Sequence, residues 1–319
     1  LARRKRDTEF PAGVGRCRAF TEVVERAAQL GPIPRPVLIR GERGTGKEIL
    51  ARYIHDVGGG ERPYVIVNCA AFQPDLFAAT MFGHERGAFT GATERHVGLV
   101  ERANGGTLFL DEVANMARAV QEKLLRVIEY QSFERLGGST PIEVKVRVIA
   151  ATNAPLEEMM EDGDFLRDLY DRLSFAEIRI PPLRKRREDI PLLIEHFLDA
   201  LHHEIPGVPR GRFTPEAIAE LCAYHWPGNV RQLRYVVERL YLSDEDRVIE
   251  ASELRGELRD APEAAEGFDA KVAAYERSLL LEGLEHADGN QRRAAELLGM
   301  TYDQFRHYYR KHRLAERGA

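Results

Sequence analysis

The chain has 319 residues, with 46 Lys and Arg against 51 Asp and Glu, a net of −5. That balance excludes a uniformly basic nucleic-acid-coating protein and leaves any nucleic-acid contact to a local patch. A composition of 44% hydrophobic and 30% charged residues, with no apolar run near bilayer-crossing length, is that of a soluble protein of two or three domains.

The opening Leu1–Arg6 is basic and has no apolar segment behind it, so no secretory leader is expected. Cys17, Cys69 and Cys222 lie far apart without metal-ligand spacing, and the ten histidines show no zinc pattern. Reduced thiols in a cytoplasmic protein are the reading.

Residues 1–17 are expected to be a mobile lead. Phe20 to Leu30 has the helical spacing Val23, Val24, Ala27, Leu30. Prolines at 32, 34 and 36 end it, and Pro36 to Arg40 reads as a short buried parallel strand. Gly41-Glu42-Arg43-Gly44-Thr45-Gly46-Lys47-Glu48 follows, with a helix behind it. Strand, glycine loop and helix come in the order of a phosphate cradle: backbone N–H groups and the helix N-terminus meet phosphate oxygens, and Lys47 adds a mobile charge. Glu48 stands where this pattern usually places a Mg²⁺-ligating Ser or Thr.

Tyr64–Asn68 is a second strand. Asn68 is either a plain strand-end cap or a polar partner for an active-site carboxylate, since strand C-termini face the ligand in such sheets. Gly87-Ala88-Phe89-Thr90-Gly91-Ala92 is an uncharged loop, on its own evenly balanced between a surface turn with its Phe in the core and a functional element. Thr107–Glu112 is a third strand, ending on the two acids Asp111 and Glu112. Two carboxylates at a buried strand end are costly unless a cation or a reaction uses them. Asp111 suits Mg²⁺, and Glu112 suits polarising a water.

Ala117 to Tyr130 is an amphipathic helix, and Arg135–Gly138 a turn. Val144 to Ala151 is a fourth strand, whose polar end Thr152-Asn153 either senses a γ-phosphate or caps the next helix. Phe165 to Leu173 is a helix with Arg167 and Arg172 exposed, and Phe175 to Ile180 the fifth strand. Residues 183–250 read as a small helical domain covering the nucleotide, with Thr214-Pro215 a capped start and Arg231 in its last helix.

Ala, Glu and Gly dominate 251–268, which reads as a flexible linker. Within 269–319, Asn290 caps a short helix in which Ala294, Ala295, Leu297 and Leu298 are expected to face inward. Gly299 turns the chain into a final helix, 301–312. Residues 288–319 carry seven basic and four acidic residues, net +3. A basic helix-turn-helix is a candidate major-groove reader through Tyr302, Gln304, Arg306, His307 and Arg310; the alternative is a helical hairpin for oligomer contacts.

Together these motifs resemble the sigma-54-dependent transcriptional activators, a branch of the AAA+ ATPases. The hexapeptide Gly87–Ala92 is similar to that family's signature loop. GERGTGKE at 41–48 matches too, including its Glu. GGTLFLDE at 105–112, AATN at 151–154 and WPGNVRQL at 226–233 resemble its Walker B, sensor I and sensor II segments. The wording of FGHERGAFTGA, VQEKLLRVIEY and DLYDRLSF looks closest to the phage-shock branch, which lacks an N-terminal receiver domain.

The resemblance implies an α/β AAA+ P-loop core (18–182) with a five-stranded parallel sheet, a helical lid (183–250) and a Fis-like helix-turn-helix domain (269–319). It implies a hexameric ring with ATP and Mg²⁺ between subunits. Lys47 and Asp111 would bind them, Glu112 would position water, and Asn68 would restrain Glu112. Arg231 would be the sensor II residue, and Arg172 an arginine finger for the neighbour. The family's second arginine directly follows the Phe of this helix; here Leu166 holds that place and Arg167 follows, turned by roughly 100°. The 87–92 loop would touch sigma-54 through Phe89 and Thr90, with Arg135-Leu136 in support. Control by a separate inhibitory protein follows from the same resemblance. An unfoldase or generic ring motor is the alternative, sharing the nucleotide motifs but not the pairing of this hexapeptide with a helix-turn-helix.

Overall fold

The computed structural model describes residues 9–10, 13–70, 74–205, 210–243 and 248–260. In the C-terminal part it describes 280, 281, 283, 284, 287, 290–298, 300–302, 305, 306 and 309. The chain divides into two compact units, 1–261 and 262–319.

The first unit is built on a parallel sheet of β1 (Val37–Arg40), β2 (Tyr64–Asn68), β3 (Thr107–Asp111), β4 (Arg147–Thr152) and β5 (Glu177–Arg179). Their order is β2-β3-β4-β1-β5, all parallel, as the five-stranded expectation requires. Successive side chains alternate between the faces. Leu108 and Leu110 therefore join a core against α3 (Pro74–Phe82), α5 (Arg118–Tyr130) and α7 (Arg167–Leu173). Phe109 joins the opposite core against α1 (Arg18–Leu30) and α2 (Lys47–Val57). Two short helices, α4 (Leu99–Arg102) and α6 (Leu156–Glu161), complete this layer. The fourth strand starts three residues later than its apolar pattern suggests, because Val144 N donates to Gln131 O at 2.8 Å and Val146 N to Gln131 Oε1 at 3.0 Å, which holds 144–146 to the ribbon that Ile142–Glu143 forms with Ser132–Phe133.

Four helices follow: α8 (Ile190–Glu204), α9 (Pro215–Ala223), α10 (Asn229–Ser243) and α11 (Ala251–Asp260). They enclose a third core around the fully buried Trp226, whose indole N–H donates to Leu221 O at 2.7 Å. The Thr214 hydroxyl caps α9, accepting from Ala217 N at 3.2 Å.

Two expectations are corrected here. The linker expected at 251–268 begins as α11, whose Leu254 is fully buried in the lid core with Leu258 against it. The mobile lead expected at 1–17 is anchored at its end. Asp189, fully buried, accepts from the N–H of Arg16 (2.7 Å) and of Cys17 (2.8 Å) and from Arg186 Nε (2.8 Å). Arg186 donates on to Val14 O at 2.7 Å and lies 3.6 Å over the Phe20 ring. Leaving either charge buried without the other would be expensive, so the pair fixes the chain's path.

In the second unit, α12 (Gln291–Leu297) is capped by Asn290, whose Oδ1 accepts from Arg292 N and Arg293 N at 3.1 and 3.2 Å. Ala294, Ala295 and Phe305 are buried together and Leu298 packs against them, but Leu297 is 57% exposed, contrary to the inward face expected. It falls one position off the stripe that Ala294 and Leu298 define.

Candidate nucleotide site and its surroundings

The cleft lies at the C-terminal ends of β1, β3 and β4, where open α/β sheets bind ligands. Gly41 to Gly46 forms the turn between β1 and α2. Gly44 stands at φ +75°, and a Cβ there would fall 2.2 Å from Gly228 O. Only glycine fits, both for the left-handed backbone and for the lid pressed against it. Val230 N and Arg231 N donate to Gly44 O at 3.0 and 3.3 Å, so the first turn of α10 closes directly on the loop.

Lys47 is buried, with Nζ donating to Gly41 O (3.0 Å) and Glu42 O (3.3 Å). Burial pushes its ammonium below the ordinary lysine range, while Glu112 and Asp111 across the cleft oppose that shift. The amides of Gly44 and Gly46 have no acceptor among the described residues. Free amides, a lysine and two carboxylates in one cleft fit a nucleoside triphosphate with its divalent cation. Glu48 is exposed at the first turn of α2.

Glu112 takes a left-handed backbone at φ +53°, uncommon for a non-glycine residue and found where function over-determines the chain. Its N–H donates to Asp111 Oδ1 at 3.1 Å. Its carboxylate is held by Asn153. With the amide oriented so that each end has a partner, Nδ2 donates to Oε2 at 2.6 Å and to Oε1 at 3.1 Å. Asn68 does not take that part in this structure: it is exposed, and its Oδ1 accepts from Ala70 N at 2.9 Å. Thr152 is fully buried; its hydroxyl accepts from Ala154 N at 3.0 Å in a turn ahead of α6, which begins at Leu156 after Pro155 without a side-chain cap, so the expected helix cap is not formed.

Arg172 is not in this cleft. It pairs with Glu129 at 2.8 Å and lines a cavity of about 850 Å³ together with Pro36, Gly106 and Arg147. Those three mark the N-terminal ends of β1, β3 and β4, the edge opposite the glycine loop. Arg167 is exposed at the first residue of α7. Leu166 packs on the core and donates its N–H to Gln121 Oε1 at 2.8 Å, so that position faces inward.

The Gly87–Ala92 loop projects from a base formed by His84 and His96, whose backbones pair. Gly87 N donates to Ala92 O at 2.8 Å, closing the loop. Phe89 is 45% exposed and meets His84 edge-on at 4.9 Å between ring centres, so the core-buried Phe is ruled out. Thr90 is exposed and Ala92 buried. The resemblance offers Arg135 as a support for this loop; its two partners underneath carry no sequence signal. Arg135, buried, donates to Glu85 (2.8 Å) at the loop base and to Glu101 (2.6 Å) on α4. Separations of 50 and 34 residues carry no local signal.

In the second unit, Tyr302 lies beneath Arg292 and Arg306, at 5.2 and 5.8 Å from its ring centre, and Arg306 is exposed. Gln304, His307 and Arg310 lie outside the described residues.

A glycine loop and acidic strand end on this sheet order, closed by a helical lid, define an AAA+ nucleotide-binding domain. Residues 14–179 match the sigma-54 interaction domain, 184–270 the AAA+ ATPase lid domain and 271–307 the Fis family of bacterial regulatory proteins. The chain belongs to the sigma-54-dependent, enhancer-binding transcription activators. It is 44% identical to the Psp operon transcriptional activator of Escherichia coli over 317 residues, covering 94% of this chain and 98% of that one. It is 43% identical to the response regulator PilR of Pseudomonas aeruginosa over 297 residues, covering 89% of this chain and 66% of that protein. The crystal structure of NtrX from Brucella abortus with ADP superimposes with a TM-score of 0.71 at 36% identity, over 93% of this chain and 69% of that one. A Thermotoga maritima RuvB mutant, at 16% identity and a TM-score of 0.51, shares the fold alone. Among the described residues no helix is long and apolar enough to cross a membrane.

Proposed function

We propose that this chain assembles into a ring, hydrolyses ATP between subunits and uses the cycle to drive Gly87–Ala92 against sigma-54, converting the closed RNA polymerase complex to the open one. The carrying observation is the position of Arg172. It lies on the sheet edge opposite the glycine loop, so one chain holds an incomplete site. A neighbour's Arg172 completes it, as a positive charge against the transferring phosphoryl group. The hexamer is the family's arrangement.

Lys47 and the free loop amides would hold the β- and γ-phosphates, and Asp111 the Mg²⁺, whose charge offsets that of the phosphates. Glu112 orients the attacking water once Asn153 releases it. In this reading Asn153 and Asn68 are alternative partners of the same carboxylate, standing at the ends of the strands on either side of β3. Arg231 reaches the phosphates from the lid. Phe89 and Thr90 supply the sigma-54 contact on the footing of Arg135.

Residues 18–182 and 183–260 form the motor, and 269–319 binds upstream DNA in the cytoplasm through Tyr302, Arg306 and the neighbouring Gln304, His307 and Arg310. The likeness to the Escherichia coli Psp operon activator along nearly its whole length supports a role at an operon of that type. Control by a separate inhibitory protein is part of the proposal on the family resemblance alone. The test is ATP hydrolysis against protein concentration, with sigma-54 added in the presence of ADP–aluminium fluoride. A per-subunit rate that rises with concentration, together with a trapped complex, is expected. Hydrolysis without a trapped complex would move the assignment to the generic ring motor.

A further inference from the structure

The second residue of the glycine loop, Glu42, turns its side chain toward the lid. Arg184, in the turn entering the lid, grips the carboxylate with both ends of its guanidinium: Nη1 donates to Oε2 at 2.7 Å and Nη2 to Oε1 at 2.5 Å. Asn229, the first residue of α10, donates from Nδ2 to Glu42 Oε2 (3.1 Å) and Arg43 O (2.9 Å), while its Oδ1 accepts from Leu183 N (2.8 Å). Asn229 is fully buried and held at φ +53°, a backbone strain that persists where surrounding contacts fix it. With Val230 N and Arg231 N on Gly44 O, three consecutive loop residues are tied to the lid.

The backbone oxygen of Glu42 also accepts from Lys47 Nζ. Displacing Glu42 therefore displaces the lysine and the loop amides together. The fork from Arg184 holds the carboxylate below its ordinary pKa, so it is charged at neutral pH. A bidentate arginine–carboxylate pair fixes direction as well as distance.

We propose that Glu42 is a positioning residue for nucleotide binding: through Arg184 and Asn229 it locks the glycine loop to the lid, so that phosphate binding and lid position report on one another. Its action is through the lid and not by contact with the phosphates. The proposal rests on the nucleotide-binding reading above.

The test uses the full chain with ADP titration, steady-state ATP hydrolysis and hydrogen exchange. Glu42→Gln and Arg184→Gln are each expected to weaken ADP binding and raise the KM for ATP about 10-fold, the scale of one charge-assisted fork. The double variant is expected to be no worse than either single, because both break the same link. Arg184→Lys, which keeps the charge but not the fork, is expected to fall between wild type and Arg184→Gln. ADP is expected to slow exchange of the Val230 and Arg231 amides in wild type and not in the variants, a response that a general loss of stability would not remove. Arg184 lies outside the loop, so its variants carry the test if Glu42→Gln fails to fold. Unchanged KM in Arg184→Gln, or fully multiplicative losses in the double variant, would overturn the lock alone. A wild type that binds no ADP would overturn the nucleotide reading and the lock with it.

Discussion

Mixing two inactive variants tests the shared site directly. Lys47→Ala removes the lysine of the glycine loop, and Arg172→Ala removes the charge proposed to complete a neighbour's site. β4, six residues from Arg147 to Thr152, spans roughly 17 Å at ~3.3 Å per residue. Arg172 lines a cavity at the Arg147 end, whereas the glycine loop abuts the Thr152 end, where Gly41 N donates to Thr152 O at 3.3 Å. No arginine side chain bridges that distance within one chain. Each variant alone should therefore lose about 10³-fold or more in hydrolysis, the scale of an arginine finger. In an equal mixture, half the interfaces receive an intact loop and half of those an intact Arg172. About one quarter of wild-type activity is then expected from random head-to-tail assembly. The assay is phosphate release at fixed total subunit concentration across mixing ratios, with a maximum at equal parts. A mixture no more active than its components would refute the shared site.

Thr90→Ala is expected to keep ATP hydrolysis and abolish open-complex formation, measured on supercoiled promoter DNA with sigma-54 polymerase; loss of both, or of neither, would contradict the division between motor and loop. Asp189→Ala strands a buried Arg186 and removes the acceptor of two backbone N–H groups. It should cost about 3–5 kcal/mol, read as a lower urea midpoint, with Asp189→Leu/Arg186→Met recovering part of the loss. Glu42 titrates below its ordinary 4.5 in the folded chain. A depressed carboxylate contributes stability above the unfolded value that is lost as pH falls through the folded one. The melting temperature of wild type should therefore fall more steeply below pH 4.5 than that of Glu42→Gln.

The sheet and the cradle were legible because their signals are local: apolar runs of four to six residues, glycines at fixed offsets, acids at a strand end. The partner of Glu112 was not. Asn68 and Asn153 are equivalent in sequence terms, each a polar residue at a strand end. Choosing between them requires knowing that β3 lies between β2 and β4 and how each side chain turns. Arg135 with its two glutamates, and Asp189 with the N–H groups of residues 16 and 17, join positions too distant for any pattern. Residues 251–260 were misread for a different reason. Ala and Glu suit a helix as well as a linker, and the i, i+4 pair Leu254 and Leu258 was the available sign. Leu297 failed because a short helix buries a narrow stripe, and apolar character alone does not assign a residue to it.

The strand order also governs how this chain is made. β1 is the first core strand to leave the ribosome, yet it pairs with β4 and β5, Val37 meeting Ile149 and Leu38 meeting Glu177. At ~5–20 residues per second, the roughly 110 residues between β1 and β4 take about 5–20 s to synthesise. Through that interval the glycine loop has no sheet edge behind it, and β1 presents unpaired backbone to any passing strand. Nascent chains ending before residue 147 have only the β2–β3 pair available from this sheet. The nucleotide cradle, written early in the sequence, is among the later features of the fold to become real.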